Sequence, residues 1–187
     1  MTRRLITAVA ILMAFGAATA YATVTTIPPD QYPPGCHPNG DALQGDAEND
    51  LFYGTLKRDL ERGGPGFDAL NGRRKSDCLF GQTGGDNVDG GSGDDRIGGG
   101  KGVDVIDGGG DDDTVHGGKG LDFINGGGAD DVIDGGSGPD QIDADRGTDR
   151  IVDVRGHNVI RCDKGIDSVV TNRKSDVGKK CEHVTRR

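Results

Sequence analysis

The sequence predicts an all-β solenoid of 18-residue coils with two short parallel sheets, and three observations predict it. From Cys36 to residue 179 the chain runs as sixteen consecutive nine-residue frames without insertion or deletion. The sixth place is Asp in fifteen of the sixteen, with Asn158 the exception, and the eighth is apolar in fourteen, the exceptions being Glu61 and Gly178. Glycine crowds places one, two and four, as in GGPGFDALN (63–71), GGKGVDVID (99–107) and GGSGPDQID (135–143). A fixed period of this kind marks units that stack, because each repeat cannot bury its own apolar face alone.

The first element, residues 1–22, reads as a secretory signal peptide. Arg3 and Arg4 precede an apolar run over 5–18, and Ala18-Thr19-Ala20 or Ala20-Tyr21-Ala22 supplies the small-residue cleavage site. The run is too short for a membrane span. Residues 23–35 (TVTTIPPDQYPPG) are rich in proline and carry no period, which suits a linker or a cap.

The repeats over 36–179 form the body. Frames 36–62 keep the Asp but lack paired glycines, and residues 63–143 hold the strong copies, although frame 72–80 carries Arg73, Arg74 and Lys75 in its loop. In 144–179 the leading glycines give way to Ala144, Asp153, Cys162 and Thr171. Residues 180–187 read as a basic tail. Within one frame the glycines let the backbone turn through positive φ, and the last three residues, such as Val105, Ile106 and Asp107, alternate outward, inward and outward as a short strand. Two frames then close one coil, so residues 18 apart stack at about 4.8 Å.

That stacking puts Asp86, Asp104, Asp122 and Asp140 along one edge and Asp95, Asp113, Asp131 and Asp149 along the other. Columns of like charge repel unless a cation lies between them. The net charge is −9 overall, yet residues 81–143 hold 15 Asp against Arg96, Lys101 and Lys119. Carboxylates with loop carbonyls form a hard-oxygen donor set, which suits Ca²⁺ with its flexible six to eight oxygen ligands better than Mg²⁺. His37, His116, His157 and His183 share no spacing that Zn²⁺ would use. Fifth-place Asp94, Asp112 and Asp130 read as solvated acids.

The four cysteines allow three pairings. Cys162 and Cys181 lie 19 residues apart, about one coil, which favours their bridge. Cys36 and Cys78, 42 apart, can pair only if the N-terminal end is irregular.

GGSGDDRIG, GGKGVDVID and GGKGLDFIN resemble the RTX (hemolysin-type) calcium-binding nonapeptide repeat, GGxGxDxUx. The resemblance is strong over 63–143 and weaker over 36–179. It implies a parallel β-roll with several Ca²⁺ ions held between consecutive Gly/Asp loops at the sheet edges. The implied ligand pairs on one edge are Asp68/Asp86, Asp86/Asp104, Asp104/Asp122 and Asp122/Asp140. On the other edge they are Asp77/Asp95, Asp95/Asp113, Asp113/Asp131 and Asp131/Asp149. Unlike the long toxins and proteases of that family, the chain has an N-terminal export signal and cysteines. Its end, from CDKGIDSVV to KKCEHV, is similar to the disulfide-closed tail of small secreted bacterial calcium-binding proteins.

Other function classes find little support. The accidental Gly-x-Gly-x-x-Gly patterns lack a strand–helix context. Ser92 and Ser137 lie in no complete nucleophile elbow. There is no HExxH, and an acidic body opposes nucleic-acid binding. The expectation is a non-enzymatic, secreted, extracellular calcium-binding roll with no membrane span. The alternatives are a surface or matrix adhesion module that contacts cell wall or polysaccharide, with calcium as scaffold, and a secreted hydrolase with an unrecognised site. The basic residues Arg173, Lys174, Lys179, Lys180, Arg186 and Arg187 read as a solvated cap that balances the acidic roll.

Overall fold

The computed structural model describes residues 25–187 except 154 and 173. The signal-peptide reading of residues 1–22 lies outside the described residues.

Strands alternate between two sheets as the chain winds. One sheet has ten strands and contains Arg96–Lys101, Thr114–Lys119 and Val132–Ser137; the other has eight and contains Asn87–Ser92, Val105–Gly110, Phe123–Gly128 and Gln141–Arg146. Among the coils between residues 42 and 171 every pairing is parallel and joins residues 18 apart, as in Ile97 with Val115 and Val115 with Ile133. The expected coil and the two parallel sheets are therefore present. From Asn87–Ser92 to Gln141–Arg146 each strand has six residues rather than the three expected, because it runs from place seven through place three of the following frame. Extended backbone alternates over that length, so places eight and one both point inward.

The core is a single file of side chains between the sheets: Leu79, Val88, Ile97, Ile106, Val115, Ile124, Ile133, Ile142, Ile151, Ile160 and Val169, all essentially buried. Branched side chains dominate it, as a pleated surface favours. Glu61 interrupts the file between Leu43 and Leu79, its strand neighbours. It is fully buried, and its carboxyl is pushed up to about 8, first by burial and then by Asp59, Asp77 and Asp41.

Places two and four carry the left-handed backbone. Among the described residues, all six non-glycine residues with positive φ occupy them: Arg73, Lys75, Gln82, Asp111, Ala129 and Asp145. Place one differs from expectation. Its glycines do not have positive φ; they are there because a side chain has no room. A Cβ on Gly90 would lie 2.4 Å from the Gly108 carbonyl oxygen and 2.5 Å from an Asp95 carboxylate oxygen.

The proline-rich segment folds onto the roll. Thr25–Thr26 pairs antiparallel with Ala42–Gln44. Ile27 and Tyr32 pack over Ala42, Leu60, Cys78 and Phe80 on the outer face of the ten-stranded sheet. Cys36–Cys78 pins this cover at a Cα separation of 6.0 Å, and Cys162–Cys181 closes the far end at 5.1 Å.

The nine-residue phase ends earlier than the sequence suggests. Ile160 pairs with Val177, 17 residues on, and Val169 with Val184, 15 residues on. Val177 thus fills the inward place that the unbroken frame assigns to Gly178. His183–Arg186 is a strand paired with Ser168–Thr171, so four residues of the expected tail lie in the sheet.

Candidate metal centre

The fourth to sixth places of each frame form the loop between sheets, and successive loops stack along two edges. The fit is close at place four: a Cβ on Gly102, whose φ is +137°, would lie 1.4 Å from the Gly84 carbonyl oxygen. Only glycine, or a residue forced into the left-handed region, lets loop backbones approach this closely.

The stacking aligns the sixth-place acids. Asp68, Asp86, Asp104, Asp122 and Asp140 form one column; Asp77, Asp95, Asp113, Asp131 and Asp149 form the other. All ten are at most 2% exposed. Oδ1 of each accepts the backbone N–H of the residue 18 earlier in its column, for example Asp68 N to Asp86 Oδ1 at 2.9 Å and Asp95 N to Asp113 Oδ1 at 2.8 Å. Oδ2 of each is buried with no hydrogen-bond donor among the described residues.

Asn158 shows what surrounds that second oxygen. Its Oδ1 accepts from Asp140 N at 3.1 Å, as every aspartate in the column does. Its amide nitrogen, standing where Oδ2 stands elsewhere, donates to the carbonyls of Asp153 at 3.4 Å and Arg155 at 3.3 Å. The second oxygen of the column thus faces carbonyl oxygens. An amide satisfies that setting with its own hydrogens; a carboxylate satisfies it only by sharing a cation or taking a proton.

The charge state agrees. Burial, offset in part by the backbone hydrogen bond, pushes Asp77, Asp95 and Asp131 up to about 7, Asp113 to about 8, and Asp86, Asp104, Asp122 and Asp149 to about 6. Asp68 and Asp140 are raised by the same cause. Neighbours in the column add to the rise, as Asp104 does for Asp86. A divalent cation among these oxygens would reverse both effects.

No group of three or more His, Cys, Asp or Glu side chains among the described residues converges on one point. A cation here must therefore take backbone carbonyls beside one or two carboxylates. That oxygen-only set fits Ca²⁺ and gives Zn²⁺ nothing to prefer.

The structure brings together all ten aspartates expected as ligands. Fifth-place Asp94, Asp112 and Asp130 lie exposed; Asp112 accepts from Asp130 N and Asp130 from Thr148 N. The columns end in hydrogen bonds. Asp59 is satisfied by Asp41 N and by the N–H and hydroxyl of Thr55. At the far end Ser175 accepts from Asn158 N and Glu182 from Asp167 N, while Asp176 stands outside the column. Sequence reasoning missed Ser175 and Glu182 because the slip in phase is invisible in the frame count. It also read Asp153 only as a lost glycine, although both its oxygens are buried without donors among the described residues.

No helix among the described residues is long and apolar enough to cross a membrane. No curated protein and no solved structure matches the chain. The family model for the RTX calcium-binding nonapeptide repeat matches residues 62–97, 89–124, 107–142, 116–151 and 125–160. These stretches together span more than half of the chain, which belongs to the RTX calcium-binding nonapeptide repeat family and is a calcium-binding β-roll protein.

Proposed function

We propose that the protein is exported, that it holds Ca²⁺ ions between Asp68/Asp86, Asp86/Asp104, Asp104/Asp122 and Asp122/Asp140 on one edge and Asp77/Asp95, Asp95/Asp113, Asp113/Asp131 and Asp131/Asp149 on the other, and that the ions order the roll. The observation that carries this reading is the ten buried carboxylates, each with one oxygen lacking a donor among the described residues. Each aspartate supplies charge and the loop carbonyls complete the oxygen shell. The glycines keep the loops near enough for two coils to share an ion. Bound calcium supplies the countercharge that lets neighbouring carboxylates stay ionised. The fold then depends on the ion because a ligand that binds the folded chain alone stabilises it.

Export is supported by the basic and apolar pattern of residues 3–18 and by two disulfides, which persist in oxidising compartments. Extracellular modules work with calcium sites of roughly 10⁻⁴–10⁻³ M. The test is a CaCl₂ titration of chelator-treated protein followed by far-UV circular dichroism. The expected result is a strand signal that grows over that concentration range; a full strand signal in excess chelator, unchanged by calcium, would overturn the coupling.

A further inference from the structure

The loop pair 135–140 and 153–158 breaks the two-carboxylate rule of its column, because Asn158 faces Asp140. The same frame carries an acid elsewhere. Asp153 stands at place one, where the strong copies have glycine, on the inner face of strand Arg150–Asp153. It is 0% exposed, and among the described residues neither of its oxygens has a hydrogen-bond donor. The charges acting on it, Asp140, Asp134 and Asp122, are all carboxylates; the Arg155 N–H lies close enough to offset them in part but outside hydrogen-bond geometry.

Its direction is informative. The space that a Cβ on Gly135 would fill lies 2.7 Å from Asp153 Oδ2 and 3.1 Å from Asp140 Oδ2. At other first places, such as Gly99 and Gly117, the same space is flanked by the frame's own Asp Oδ2 and by a carbonyl oxygen of the next coil. At Gly135 a second carboxylate takes the carbonyl's part. The Asp153 carbonyl is already engaged by the Thr171 hydroxyl at 2.7 Å and by the Asn158 amide.

We propose that Asp153 replaces the carboxylate lost at Asn158, so that Asp140 and Asp153 together bind one further Ca²⁺ ion at the C-terminal limit of the loaded columns. This rests on the calcium reading above. It extends the metal-binding region by one loop, through a residue at a place that carries no side-chain ligand in the strong copies.

The test counts calcium bound at saturation by the full, disulfide-bonded chain, using equilibrium dialysis, with circular dichroism as the check on folding. Asp153→Asn should bind one ion fewer than the unaltered chain, and the pair Asp153→Asn with Asn158→Asp should regain it. Asp153→Gly, which restores the residue of the strong copies, should also lose one ion and guards against a folding defect specific to the amide. An unchanged count in both Asp153 variants would overturn the proposal and leave Asp140 and Asp153 sharing a proton, with the calcium reading intact. An unaltered chain that binds no calcium would overturn that reading itself.

Discussion

At the scale of residues, glycine has two separate duties in this chain, and they respond differently to substitution. Gly102 combines φ +137° with a backbone oxygen 1.4 Å from where its Cβ would stand. Gly110, at place three, has negative φ and nothing within 4 Å of its Cβ position. Gly102→Ala should therefore cost at least about 1–3 kcal/mol in the calcium-loaded protein, the usual range for local backbone strain. Gly110→Ala should be close to neutral. Calcium-saturated denaturation midpoints check both, and equal effects would mean that the loops are not packed backbone against backbone. Glu61 and Asp153 are the other residue-scale lesson. Each looks like noise in an apolar or glycine place, yet each is a buried carboxylate without a donor, which only the coil's interior reveals.

At the scale of elements, repeats touch only their neighbours, so damage at one end should stay there. Cys162–Cys181 bridges a ring of 19 residues and holds the slipped final strands. Replacing both cysteines by Ser should cost about 3 kcal/mol by loop closure. The loss should appear as faster amide exchange in Ser168–Thr171 and His183–Arg186, with little change in strands such as Val105–Gly110. Uniform acceleration along the roll would show instead that the whole stack melts as one unit. The N-terminal cover is a different device. It seals an outer sheet face through Ile27 and Tyr32, and its covalent anchor Cys78 sits at an outward place of the repeat. Without this cover the outward Leu60 would be open to water.

At the scale of the whole molecule, the raised carboxylates set the response to pH. In the metal-free fold Asp77, Asp95, Asp113 and Asp131 sit near 7 to 8 against 3.8 for the ordinary group. The folded chain then holds protons that the unfolded chain releases. Their contribution is fully present below about pH 4, falls progressively above it and is lost once pH has risen through about 7 to 8. Metal-free protein should therefore gain thermal stability on acidification. Calcium should reverse the trend, because the ion needs the ionised carboxylates, so the calcium-dependent part of the stability shrinks as pH falls. Thermal midpoints from pH 4 to 9, with calcium and with chelator, should converge at the acid end; a chelated chain that grows more stable from pH 5 to 8 would contradict this. The period, the parallel coil, the inward apolar place, the two columns of aspartate and the Cys162–Cys181 bridge could all be read from the sequence. Each is a local regularity or a spacing that the 18-residue coil turns directly into contact. Only the tertiary structure decided the rest. Pairing between coils fixed where the phase slips, so that Val177 and Ser175 take the places that the frame assigned to Gly178 and Asp176, and Glu182 ends the other column beside Asp167. Stacking also set which oxygens lack a donor, because Asp153 meets Asp140 only when coils 18 residues apart lie side by side. A frame count records which residue stands at each place. It does not record which neighbour that residue faces, and the buried charge at the edge of this roll is settled by the neighbour.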